Sequence, residues 1–306
     1  MLRRRLLNSS SQDSHYVVVT HDIKDISSPT MIFGYNTDAE CFKFNQVDHI
    51  VVDGVKYMYY DSRYFQFNTT GKHIVKIKFN EHLTTLYSFL RKCNTVTSVK
   101  FGSSLTCNTV ISHRAMFMDC VNLKYVSFPR SFDTSNSTDI GYAFQNCSKI
   151  TSLDLSMFNT SKVTDMDRLF YNCARLTYLN LDGWNINETR KMSSIFHTCE
   201  NLTSINVANW KGSLCKNFWA SFCGMAKLTK IDLSNIDTSS ANYLNYMFMD
   251  SRALIEIKMG GPTSSTADVT DMFNNITTNG KFYYNKKYDY SKIIKVLPST
   301  WQAIPY

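Results

Sequence analysis

The stretch Met166-Asp-Arg-Leu169-Phe170-Tyr-Asn-Cys173-Ala-Arg-Leu176-Thr-Tyr-Leu179-Asn-Leu181 decides the fold. Met166, Leu169, Phe170 and Cys173 stand at offsets 0, 3, 4 and 7, the spacing of one face of a short helix. Leu176, Leu179 and Leu181 follow as L-x-x-L-x-L, and the last two alternate as residues of a strand do. The next unit repeats both halves with Met192, Ile195, Phe196, Cys199, Leu202, Ile205 and Val207. Ile140, Phe144, Cys147 and Leu153 precede it in the same pattern, and Phe218, Phe222, Met225 and Ile231 follow.

The period is regular. Cys93, Cys120, Cys147, Cys173 and Cys199 lie 27, 27, 26 and 26 residues apart, and Met225 and Ser251 continue at 26 and 26. Weaker copies centre on Leu90–Cys93, Phe117–Cys120 and Phe248–Ser251, and a partial copy begins at Met272–Phe273. A unit this short cannot bury its own apolar face, so the units must stack, each adding one rung to a parallel sheet. The predicted class is an α/β repeat, a solenoid with a parallel β-sheet on one face, preceded by a small β-rich unit. Asp165, with Asp139 and Asp271 read in the same place, is positioned to cap the helix of its unit. The expected organisation is a basic and polar tail over 1–14, a β-rich unit and cap over 15–70, repeats over 71–278 and an aromatic cap over 279–306.

Charge and chemistry narrow the function. Of the net +8, +3 falls within residues 1–10 through Arg3, Arg4 and Arg5, and +4 within residues 272–306, which leaves +1 between them. No basic stripe follows the repeats, so nucleic acid is not an expected partner. The basic ends, with Arg3, Arg4, Arg5, Lys286 and Lys287 foremost, suit docking onto an acidic partner. No apolar run is long enough to span a membrane, and Met1–Leu7 is not followed by the apolar core of a secretion signal.

The ladder cysteines point inward with Phe and Leu and are expected to be buried and reduced. Cys41, Cys107, Cys215 and Cys223 lie off the ladder, and an odd total of nine favours mostly free thiols. His15, His21, His49, His73, His82, His113 and His197 show no ligand spacing and read as structural, and no nucleophile, phosphate-loop or dinucleotide motif occurs. Catalytic residues, cofactor and metal are therefore all expected to be none. Asn68, Asn146, Asn159 and Asn201 begin Asn-x-Ser/Thr sequons, read as by-products of the repeat.

The segments Leu169–Leu181 and Leu153–Met166 resemble the BspA-like leucine-rich repeats, over roughly residues 74–284. The resemblance implies a leucine-rich-repeat solenoid without catalytic residues, of the kind found in surface proteins of bacteria and some protozoa and in virion proteins of phages of gut bacteria. The function expected is a non-enzymatic structural and recognition protein. The leading expectation is a bacteriophage virion component, head-fibre or tail-associated, made in the host cytoplasm, displayed on the virion surface and docked by its terminal regions. Its partners would be other virion or surface proteins, a host glycan or protein, and further copies of itself in an assembly. The alternatives are a bacterial cell-surface adhesin and, third, a glycan-active enzyme with a site in the N-terminal β region. Residues beside the inward leucines must face out, which makes Tyr125, Asp154, Tyr178, Asn180, Asn206, Lys230 and Asp232 the candidate binding face.

Overall fold

The structure, a computed structural model, describes residues 13–34, 42–58, 62–81, 83–105 and 107–306. Arg3, Arg4, Arg5, Cys41 and His82 lie outside the described residues. Six strands precede the repeats: β1 (Val17–Ile23), β2 (Thr30–Met31), β3 (Val47–Val52), β4 (Val55–Met58), β5 (Tyr64–Phe65) and β6 (Gly71–Phe79). The repeats carry β7 (Val96–Phe101), β8 (Tyr125–Ser127), β9 (Ser152–Asp154), β10 (Tyr178–Asn180), β11 (Lys230–Leu233), β12 (Glu256–Met259), β13 (Gly280–Tyr284) and β14 (Trp301–Pro305). The chain is a β-solenoid of about seven turns. Its sheet rungs are parallel wherever they pair, β7 with β8, β9 with β10, and β11 through β14 in sequence. Bridges link Ser112, Asp139, Asp165, Lys191, Asn217, Tyr243 and Asp268, so a second parallel column rises beside the strands.

The expected helices are absent. Apart from a single turn of α-helix, α1 (Ser291–Ile294), and a 3-10 turn at Phe44–Gln46, the described residues contain none. Met166–Cys173 is instead a double turn, and the α/β class is corrected to an almost all-β one. Arg168 and Asn172 adopt φ of 52° and 56°, the left-handed region, which breaks any helix every four residues. The N–H groups of Met166, Arg168, Phe170 and Asn172 then point along the axis to the carbonyls of Lys191, Ser193, Ile195 and His197 in the next rung. Those of Leu169, Tyr171 and Cys173 turn back three residues. Apolar offsets of 0, 3, 4 and 7 are satisfied by this geometry as well as by a helix. The signal that separates the two stands just before the ladder position in most rungs, where Asp119, Asn146, Asn172, Gly224, Asp250 and Asn275 are residue types that tolerate positive φ, although Lys92 and Thr198 hold the same place without that tolerance.

The core is a set of columns. Phe117, Phe144, Phe170, Phe196, Phe222, Phe248 and Phe273 stack rung on rung with centroids between 5.4 and 5.9 Å apart. Phe273 over Phe248, and the bridge from Tyr243 to Asp268, fix the last register. Asp268 and not Asp271 therefore holds the place of Asp165, because this rung is one residue shorter than its neighbours. Asp165, Asp139 and Asp268 do cap their turns, accepting from the N–H groups of Asp167, Gly141 and Thr270.

Beside the phenylalanines, four of the five ladder thiols donate back to the carbonyl of the preceding rung: Cys120 to Leu90, Cys147 to Phe117, Cys173 to Phe144 and Cys199 to Phe170, at 2.9 to 3.2 Å. Ser251 replaces cysteine in the ladder and makes the same bond to Phe222, at 2.7 Å. The eight described cysteines are free and buried. Burial pushes the Cys199 thiol up to about 12, and those of Cys147 and Cys173 well above their ordinary value. Cys147, Cys173 and Cys199 are accordingly expected to resist alkylation in the native protein while reacting fully in denaturant. Peptide mapping of the labelled protein checks this, and rapid native labelling of all three would contradict the column.

The first rung is closed on its N-terminal side. β1 lies antiparallel between β6 and β7, so the sheet edge of the first rung is paired. The first double turn presents its carbonyls backward, and the N–H groups of Phe42 and Gly34 meet those of Tyr87 and Phe89 at 2.8 Å. Both satisfy backbone groups that would otherwise be left unpaired in a largely buried setting.

Candidate functional site

The strand face carries the expected outward columns. Tyr125, on β8, and Tyr178, on β10, are 53% and 56% exposed. Ser98 is the register partner of Tyr125, Ser152 of Tyr178, and Lys230 of Glu256. In the second column Asp154 pairs Asn180 and Asp232 pairs Lys258. Asp154 is exposed and accepts from the N–H and hydroxyl of Ser156, while Asn180 is half-buried. Asn206 is exposed on a rung with no assigned strand and donates to Asp182 across 3.3 Å. Lys230 and Asp232, on β11, are engaged by Glu256 at 3.2 Å and Lys258 at 3.6 Å. The face thus divides into a C-terminal part whose charges neutralise one another and a middle part where two tyrosine rings and Asp154 stand open to solvent.

Lys286 and Lys287 follow β13 and are exposed, with the Lys287 ammonium 5.6 Å from the Tyr288 ring centroid. The structure does not bring them to the tyrosines of the strand face; they lie at the last rungs.

A second arrangement escaped the reading of the sequence. On the turn column, the Arg114 guanidinium lies 3.1 Å from Asp139 and 3.5 Å from Asp165, and Lys191 lies 3.0 Å from Asp165. Arg114 also stacks over the Tyr142 ring, 4.4 Å from its centroid. Gly141 lets the three charges approach, since a Cβ there would meet Asp165 at 2.9 Å and Arg114 at 3.0 Å. Burial raises the carboxyl of Asp139 against the pull of Arg114, and burial together with Asp165 raises that of Asp167. These residues are separated by whole rungs in sequence, and only the aspartates standing one repeat apart could have signalled it. Beside it runs an amide column in which Asn172 donates to Asn146 at 3.0 Å and Asn146 to Asp119 at 2.7 Å. Both arrangements hold neighbouring turns in register.

The described thiols are held protonated by burial. Among the described residues no group of three or more His, Cys, Asp or Glu side chains is placed to hold a metal ion. His21 and His113 are wholly buried, and His113 stands in the core column that Met166 and Met192 occupy in their rungs. No helix among the described residues is long and apolar enough to cross a membrane.

Stacked rungs, filled inner columns and a polar outer face define a repeat solenoid. Residues 84–203 and 174–286 match the model of the family described as "Mycoplasma protein of unknown function, DUF285", which together is about two thirds of the chain. The chain belongs to that family. No curated protein matches the sequence. Among solved structures it is similar to a leucine-rich repeat protein from Bacteroides ovatus ATCC 8483, at 13% identity over 92% of this chain and 91% of that one, with a TM-score of 0.29.

Proposed function

We propose that this chain is a non-enzymatic recognition protein that binds a macromolecular partner, a host protein or glycan, through the middle of its strand face. The observation that carries the reading is the pair of half-exposed tyrosines, Tyr125 on β8 and Tyr178 on β10, with Asp154 on β9, the strand of the rung between them. Aromatic faces supply contact area while carboxylates and amides supply direction. Replacing both tyrosines by alanine is expected to leave the melting temperature within a degree or two, because neither ring is in the core, and to weaken binding to whichever ligand a glycan array or host-surface screen returns by about tenfold or more. Unaltered binding would remove the site from this face.

We further propose that the solenoid is displayed on a phage particle and docks there by its basic terminal regions, Lys286 and Lys287 with Arg3, Arg4 and Arg5. The concentration of positive charge at the two ends supports this. A bacterial cell-surface adhesin is the second reading, favoured by the Mycoplasma description of the matched family. Probing purified virions and washed cells with an antibody to the strand face separates the two, and absence from every virion preparation would overturn the first.

A further inference from the structure

The two ends of the solenoid are finished differently. Each double turn offers four N–H groups forward along the axis, and the next turn supplies the carbonyls. In the last double turn Val269, Asp271, Phe273 and Asn275 hold the places of Met166, Arg168, Phe170 and Asn172, with Asp271 and Asn275 again at positive φ of 52° and 61°. Tyr246, Phe248 and Asp250 reach carbonyls of this turn in the usual way. The N–H groups of Val269, Asp271, Phe273 and Asn275 reach no carbonyl among the described residues.

The reason is that the following rung is half-built. Its strand is present, since β14 pairs with β13. The register partners Gly280 and Trp301 are 21 residues apart, however, where Lys230 and Glu256 are 26 apart, and α1 occupies part of that shorter stretch. No double turn is formed. Trp301 closes the phenylalanine column, 6.4 Å from Phe273, so the apolar core is covered while the backbone edge is not. A groove of about 600 Å³ remains over that edge, bounded by Asp271–Thr277 on one side and by Val296, Pro298, Ser299 and Thr300 on the other. Val296 is 38% exposed beside it.

We infer that this groove is a docking site for a peptide segment of a partner protein, whose alternate carbonyls take the place of the missing turn. Three of these N–H groups, those of Asp271, Phe273 and Asn275, belong to residues that line the groove, and in each earlier rung donors so spaced are met by alternate carbonyls of the chain segment that follows. At the opposite end, the N–H groups of Gly34 and Phe42 already occupy two of the four carbonyls that the first turn presents backward, those of Phe89 and Tyr87. That pairing also disfavours a second copy as the occupant. Head-to-tail stacking would need those same carbonyls, and end-to-end contact would set donors against donors. The side-chain preference follows from the walls, an apolar residue against Val296 and Pro298 and polar residues at the rim of Asn274, Asn275 and Ser299. The inference rests on the reading of the chain as an interaction protein, and places a second, backbone-directed contact away from the tyrosines.

The test uses a phage-displayed random dodecapeptide library selected on the purified full chain, with the recovered peptides made synthetically. Bound peptide is expected to slow amide exchange across residues 268–277 by at least about tenfold, and to lose at least about tenfold in affinity for the Ser299→Trp variant, which fills the groove. Affinity for the Tyr125→Ala, Tyr178→Ala variant should be unchanged. An ester scan of the peptide, which weakens one carbonyl at a time, should cost affinity at alternate residues, and it reads the same contact in the unaltered protein should Ser299→Trp fold poorly. Protection confined to β8–β10 would overturn the groove while leaving the strand-face reading intact. No peptide that protects 268–277, equal binding by a folded Ser299→Trp, or concentration-dependent protection of 268–277 by the protein alone would each overturn it.

Discussion

Phe170→Ala is expected to destabilise the protein by about 3–5 kcal/mol, the range for truncating a buried aromatic whose cavity cannot collapse. Phe170 is wholly buried and stacked on both sides, 5.9 Å from Phe144 and 5.6 Å from Phe196. A rung cannot shift to fill the space, because its own turn is bonded to the rungs before and after it. The loss should be local before it is global, with amides of the adjacent turns exchanging faster than those near Phe117 or Phe248. Phe170→Leu should lose much less. Urea unfolding with exchange mapping measures both effects, and an unchanged midpoint for Phe170→Ala would refute the assigned register.

Acid is the second large perturbation. Burial lowers His113 to about 4, and burial with the nearby His73 lowers His21 to about 3, from an ordinary 6.5. His113 donates or accepts at Nδ1 with Ser137 at 3.1 Å, while Nε2 of both rings has no hydrogen-bond partner among the described residues. A proton added there would lie in apolar surroundings beside Phe132 and Phe158 for His113, or Phe67 for His21. Both folded values are depressed, so the unfolded chain binds protons first. Stability is fully present above pH 6.5 and falls as the pH drops toward 4, by about 2 kcal/mol for each histidine at pH 5. The raised carboxyls of Asp139 and Asp167 act in the opposite sense, gaining stability as they protonate. His113→Met, which restores the residue type of the Met166 and Met192 rungs, should remove about half of the loss between pH 7.5 and 5. An identical acid dependence in that variant would exclude His113 as its source.

Much of the architecture could be read from periodicity alone. Cys147, Cys173 and Cys199 mark the rung spacing, Leu153 and Leu179 the strands, and the outward columns follow by alternation, as the register of Ser152 with Tyr178 shows. The turn was misread because apolar spacing records which residues face inward and not how the backbone brings them there. Asn146 and Asn172 carried that information through their tolerance of positive φ, yet in a repeat rich in asparagine they looked like composition. The slip at Asp271 has a similar origin. Met272 mimics the start of a unit, and the seat of Phe273 over Phe248 with the bridge from Tyr243 to Asp268 shows that the rung is one residue short. The charges around Arg114 and the half-built final rung depend on neighbours a full turn away, a distance that local patterns do not span. The strand face was legible as a set of exposed positions. Which of them are quenched, as Lys230 is by Glu256, required side-chain geometry.

The direction of the hydrogen bonds between rungs has a mechanical consequence. They run along the long axis, so tension applied to the two ends of the repeats loads the rungs in series, and the weakest peels away while the others stay seated. Successive partners such as Ser152 and Tyr178 are 26 residues apart. Each rung that opens therefore releases a strand of up to about 90 Å, and a tether of this build lengthens under load in discrete steps, dissipating work at every one.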